Sequence, residues 1–259
     1  MLTGRMAKQV TDRQGAVLFV ASAADTHAAR LQQNFEAAFA EHLKPGEVMP
    51  NVALVAALVG RRLRAVNAAL VEKSDAYDKE LSDDAGPRER RDEAAATLTS
   101  EVVEIRSTLE ATFGPGILRE VGLDGKTEVE PKAILAKAKR LVDALGKPAS
   151  AWPKPRRKGV TIDPAAWVAD LVAPIMTLEK ALTDVAREAR EAQAASDAKT
   201  TAMAHNDDVF SRSAGCLSGL LRLVEEDTLA RQVRPSGRRP GRVAEPEEEA
   251  NGEDGDSGA

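Results

Sequence analysis

Residues 163–224 read DPAAWVADLVAPIMTLEKALTDVAREAREAQAASDAKTTAMAHNDDVFSRSAGCLSGLLRLV, and from Ile175 to Ala214 the stretch contains neither Gly nor Pro. Apolar or small side chains recur at Trp167, Leu171, Pro174, Leu178, Leu182, Val185, Ala189 and Ala192. The same steps of three and four continue through Ser196, Lys199, Met203, Asn206 and Phe210 to Leu217, Leu221 and Val224. That spacing lines one face of a helix. Asp163-Pro164 opens it, because an Asp carboxylate accepts from the orphan first-turn amides and Pro loses nothing where its N–H would have no partner. Ser196 to Asp208 is polar and makes a weak seam. Two arrangements fit: one rod of about 90 Å at the helical rise, or two helices folded back near Ala204–Asp208. The missing breakers favour a single long helix with a bend there. Pro174 is expected to kink it or distort the preceding turn.

The same period extends upstream. Thr11 and Gln14 have the spacing of a capping box, followed by Val17, Val20, Ala24, Ala28, Leu31, Phe35, Ala38 and His42 on one face, with Lys44-Pro45-Gly46 as the stop. A second helix starts near Pro50 and carries Val52, Val55, Val59, Leu63, Val66, Leu70, Tyr77 and Leu81. A third starts at Pro87, carries Leu98, Val102, Ile105 and Leu109, and ends at Gly114-Pro115-Gly116. Connections this short make consecutive helices antiparallel neighbours. A turn at Gly122-Leu123-Asp124-Gly125 and a helix opened by Glu130-Pro131 form a small helical insertion.

The expected fold is all-α: an elongated antiparallel bundle of long helices with a small helical insertion and a disordered C-terminal tail. Residues 1–113 form the first part of the bundle, 114–146 the insertion and 147–162 a linker rich in Pro and basic charge. Residues 163–233 complete the bundle, and 234–259, without hydrophobic period, form the tail. Composition agrees. Alanine supplies 46 residues and aromatics only 3% of the chain, which favours helix over strand.

The net charge of −5 is unevenly placed. Seven carboxylates lie between Glu245 and Asp256, and without them the formal charge is +2. Arg231, Arg234, Arg238, Arg239 and Arg242 precede that acidic run, so the tail alternates blocks of charge. No run approaches the roughly 20 apolar residues of a membrane span. Asp12 and the continuing helical period weigh against reading Ala16–Ala24 as a cleaved leader. The one cysteine, Cys216, fits a reducing cytoplasm and is expected to pack as a small apolar group.

The histidines and glycines offer no signature of chemistry. A bundle di-iron site needs Glu-x-x-His, but Ala24, Phe39 and Ala202 stand three residues before His27, His42 and His205. His205 and Asp208 share a face at metal-ligand spacing, although a polar interruption of the helix explains them as well. Gly122-x-x-Gly125-Lys126-Thr127 has its first glycine too close for a phosphate loop and reads as a turn. Ser211, Gly215 and Gly219 form a small-residue strip suited to close helix packing.

Catalytic, cofactor and metal residues are therefore expected to be none. The leading expectation is a non-enzymatic scaffold or protein-interaction module in the cytoplasm, pairing with itself or with another protein through helix faces, and with no membrane. The alternative is an accessory protein that binds nucleic acid. Its contacts would be Trp152, Lys154, Arg156, Arg157 and Lys158 in the linker, with Arg234, Arg238, Arg239 and Arg242 in the tail. The acidic tail would modulate that binding.

Overall fold

The computed structural model describes residues 8–83, 85–126, 128–148, 152–156 and 162–245. Seven α-helices account for most of them: α1 (Lys8–Phe39), α2 (Val52–Asp83), α3 (Ala85–Phe113), α4 (Gly116–Glu120), α5 (Pro131–Leu145), α6 (Pro164–Leu223) and α7 (Asp227–Val233), with a 3-10 turn at Ala40–His42. The all-helical class is as expected. Among the described residues, the only strand-like pairing is one antiparallel bridge between Pro235 and Val243.

The long stretch is a single helix. α6 runs for 60 residues through Pro174 and does not break at Ala204–Asp208, so the folded-back alternative is excluded. Asp163 Oδ1 accepts the amides of Ala165 at 3.0 Å and Ala166 at 3.2 Å. Glu130 caps α5 in the same manner, accepting from the Ala133 amide at 2.7 Å. α1 departs from expectation. It is already helical at Lys8, so Thr11 lies inside the helix and forms no capping box.

Two compact units divide the chain: Met1–Asp78 with Ala195–Ala259, and Lys79–Ala194. In the first, α1 and α2 run antiparallel, with the Val52 amide donating to Gln32 Oε1 at 2.7 Å and Arg64 meeting Asp25 at 2.5 Å. The last part of α6 runs parallel to α1, with Arg13 on Asp207 near one end and Asn34 on Glu226 at the other. Val17, Val20, Ala24 and Leu31 of α1 share a core with Val52, Ala56 and Leu63 of α2, and with Phe210, Leu217 and Leu221 of α6. Ala230 and Val233 of α7 close it.

The seam of α2 differs from the one read by choosing the largest side chains. Its buried residues are Val52, Ala56, Gly60, Leu63, Asn67, Leu70 and Ser74. Val55 is exposed, and Val59 and Val66 are half-buried. Close approach of the helices is the cause. A Cβ added to Gly60 would stand 3.3 Å from the Ala21 carbonyl oxygen and from Asp25 Oδ1, tighter than carbon packing favours. The contact face therefore takes small residues, and the bulkier valines turn away.

In the second unit, Leu98, Ile105 and Leu109 of α3 pack with Ile117 and Leu118 of α4, Ile134, Leu141 and Leu145 of α5, and Leu171 and Leu178 of α6. Burying each such side chain is worth about 1.5–3 kcal/mol. The segment 114–146 thus shares one core with α3 and α6. Gly122 and Gly125, at φ +73° and +84°, shape its turn, a conformation glycine adopts without steric cost.

Order continues past residue 234, where the sequence reading ended it. The Ser236 amide donates to the Arg242 carbonyl at 2.7 Å and the Ala244 amide to the Arg234 carbonyl at 2.8 Å. Val243 packs on the core of the first unit. Backbone pairing and one apolar anchor hold this turn, neither of which leaves a periodic trace in sequence. The rest of the expected tail, residues 246–259, lies outside the described residues. Two smaller expectations also fail. Gly219 faces open space and Gly215 meets only Pro235, so the small-residue strip is not a helix contact, and Cys216 is exposed.

Candidate functional site

The linker residues dock on the second unit. Trp152 stacks against Phe113, with ring centroids 5.8 Å apart, and packs on the core. The Arg156 amide donates to the Thr112 carbonyl at 2.9 Å, and its guanidinium lies over Gly114, where a Cβ would collide with it. Lys154 is exposed, and Arg157 and Lys158 lie outside the described residues. Of the two roles open to this indole, stacking on a base or anchoring the linker in the bundle, the contact with Phe113 matches the anchor.

The tail arginines belong to the first unit and share the turn 234–245. Arg239 pairs with Glu245, and Arg242 pairs with Asp12 of α1. Arg234 and Arg238 are exposed. Beside this turn sits the best-defined polar constellation of the unit. Arg13 Nε meets Asp207 Oδ1 at 2.7 Å and Arg13 Nη2 meets Asp207 Oδ2 at 2.8 Å, a two-pronged pair. Planar guanidinium and carboxylate groups match in this fork geometry. Gly241, at φ +71°, lies directly over the pair. The sequence reading missed Arg13, Asp12, Asp207 and Gly241. Their only trace was unlike charge at the start of α1 and within His205-Asn206-Asp207-Asp208, which no spacing rule connects.

The metal reading of His205 and Asp208 loses its partner, since Asp208 pairs with Arg212 at 2.8 Å one helical turn on. Glu80, Glu188 and Glu191 bring carboxylates within 4.8 Å of one another. Arg187 stands against two of them, at 3.0 Å from Glu188 and 3.8 Å from Glu191, which makes the cluster a surface ion-pair network. An open groove of about 500 Å³ is lined by Asp92, Ala95, Thr99, Ser100, Val129 and Pro131. Its carboxylate pairs with Arg91 at 2.7 Å, and its Thr99 hydroxyl donates to the Ala95 carbonyl.

The remaining unusual surface is apolar. Because α2 buries its small face, its outward face presents Leu54 at 48% exposure and Leu58 at 51%. Ala65, Ala68, Ala69 and Ala76 continue the same face at helical spacing, all exposed, with Arg61 and Glu72 between them. On α1, Leu18 and Phe19 are also about half exposed. No helix among the described residues is long and apolar enough to cross a membrane. No protein-family model, curated protein or solved structure matches the chain.

Proposed function

We propose that the chain is a non-enzymatic helical interaction module that docks another protein surface through the outward face of α2. The observation that carries this is the apolar stripe Leu54, Leu58, Ala65, Ala68 and Ala69, solvent-facing on a helix whose opposite side is already buried. A helix with apolar stripes on two sides fits one with partners on two sides, and contiguous exposed apolar surface marks contact sites. A cytoplasmic setting suits the single exposed thiol. The nucleic-acid alternative draws less support, because Trp152 is stacked internally and Arg239 and Arg242 are already neutralised by Glu245 and Asp12.

The test compares the full chain with its Leu54→Asp/Leu58→Asp variant, in solution mass and in what each captures from lysate. The proposal expects an association, with itself or with a foreign protein, that the variant loses. Equal behaviour of the two chains in both measurements overturns it.

A further inference from the structure

On that reading of α2, the partner can be specified. We infer that the outward face of α2 pairs antiparallel with the same face of a second copy, about a two-fold axis between residues 66 and 67.

The argument is self-complementarity. A two-fold contact presents one patch to itself, so each residue at a given distance before the axis meets the residue at that distance after it. Placed between 66 and 67, the axis sets Ala65 against Ala68 of the second copy. It sets Arg61 against Glu72, and Glu72 against Arg61, at about 8 Å on either side by the helical rise. All four residues are exposed on one face of α2, uncovered by the described residues of the first unit. Two alanines at the centre let the helix axes come near the lower end of the usual 8–10 Å separation. At that separation an Arg and a Glu on facing seams reach each other. Leu58 then stands level with Asp75 of the second copy and next to its Ala76, whose methyl gives the half-exposed side chain cover.

Orientation follows from charge. A parallel pairing would bring Arg61 to Arg61 and Glu72 to Glu72, two like-charge pairs, and like charges facing each other are repelled. The antiparallel pairing makes two unlike pairs of the same four groups. Glu72 accepts from Lys73 Nζ at 2.9 Å in the single chain, a contact between neighbouring residues on an open surface that holds its carboxyl below the usual range and leaves it ionised. An exposed pair of this kind contributes little, so its exchange for Arg61 of the second copy costs little. Leu18 and Phe19 of α1 do not make an equivalent patch, because Gly15 and Ser22 flank them and no alternation of charge sets a register.

The experiment is a charge exchange read by sedimentation equilibrium at tens of micromolar. Arg61→Glu alone and Glu72→Arg alone each convert two unlike pairs into two like pairs, and each is expected to weaken the dimer by about tenfold or more. Arg61→Glu/Glu72→Arg restores unlike pairs and is expected to restore the dimer. Helix content by circular dichroism confirms that the exposed substitutions leave the chain folded. A second measurement uses Ala65→Cys/Ala68→Cys on a Cys216→Ser background, which is expected to give a covalent dimer on mild oxidation. A wild-type chain that stays monomeric, an exchange variant that fails to recover, or cysteines that do not cross-link overturns the inference. If the wild type is monomeric while Leu54→Asp/Leu58→Asp loses a foreign protein, the second-copy inference fails and the docking function stands.

Discussion

Gly241→Ala tests whether residues 234–245 are a folded part of the first unit. Gly241 has φ +71°, and an alanine held in that left-handed region costs about 1–2 kcal/mol. Its Cβ would run into Asp207 Oδ1 and stand 3.0 Å from Arg13 Cγ. Arg13 and Asp207 are only 14% and 15% exposed at their side chains, and loss of charge-assisted hydrogen bonds in such a setting costs about 1.5–3 kcal/mol. The turn has a way out, since it can peel from α1 and α6 and leave the pair intact. Global stability then falls only by what the turn contributes, while local opening rises steeply. The expected result is a loss of about 1–3 kcal/mol in urea unfolding, with tryptic cleavage after the exposed Arg238 accelerated by about an order of magnitude or more. Gly237→Ala is the control, because nothing lies within 4 Å of its Cβ position and its φ is not in the left-handed region. If Gly241→Ala matches Gly237→Ala in both assays, the folded turn and its ion-pair clasp are wrong.

Other substitutions probe the rest of the fold. Leu98→Ala and Leu141→Ala, each at a fully buried position of the second unit, should lose about 2–5 kcal/mol apiece in urea unfolding. Gly219→Ala and Gly15→Ala lie in helices with open space at the Cβ, and each should gain about 0.5–1 kcal/mol by the same measurement. Truncation after Glu245 should leave the urea midpoint unchanged. Truncation after Arg242 removes Val243 from the core and the Ala244 amide from Arg234, and should lower it.

Helix identity was legible because it rests on local signals. Asp163-Pro164 and Glu130-Pro131 cap their helices with their own side chains, and the absence of breakers from 175 to 214 matches an unbroken α6. The α2 seam was not legible in the same way. Two overlapping stripes share its period, the buried one at Val52, Ala56, Gly60, Leu63 and Asn67 and the bulkier one read from sequence at Val52, Val55, Val59, Leu63 and Val66. Hydrophobicity favours the bulky stripe, whereas the inward face is set by how closely α1 approaches Gly60. The turn 234–245 was missed for a related reason. Its order comes from Arg242 on Asp12, a pair that spans more than two hundred residues and that no sequence window contains, and from a bridge between Pro235 and Val243 that carries no hydrophobic period. In the linker, Trp152 packs on Phe113 at the end of α3, a contact that a large ring in an otherwise polar segment foreshadows.

The proposed function rests on the outward stripe of α2. Sedimentation equilibrium of the full chain, run from a few to about a hundred micromolar beside its Leu58→Asp variant, tests it most directly. The pairing account predicts a wild-type mass that rises with concentration from 27.6 kDa toward twice that value, and a variant that stays at 27.6 kDa. A wild type fixed at 27.6 kDa, or a variant that rises alongside it, would contradict the account.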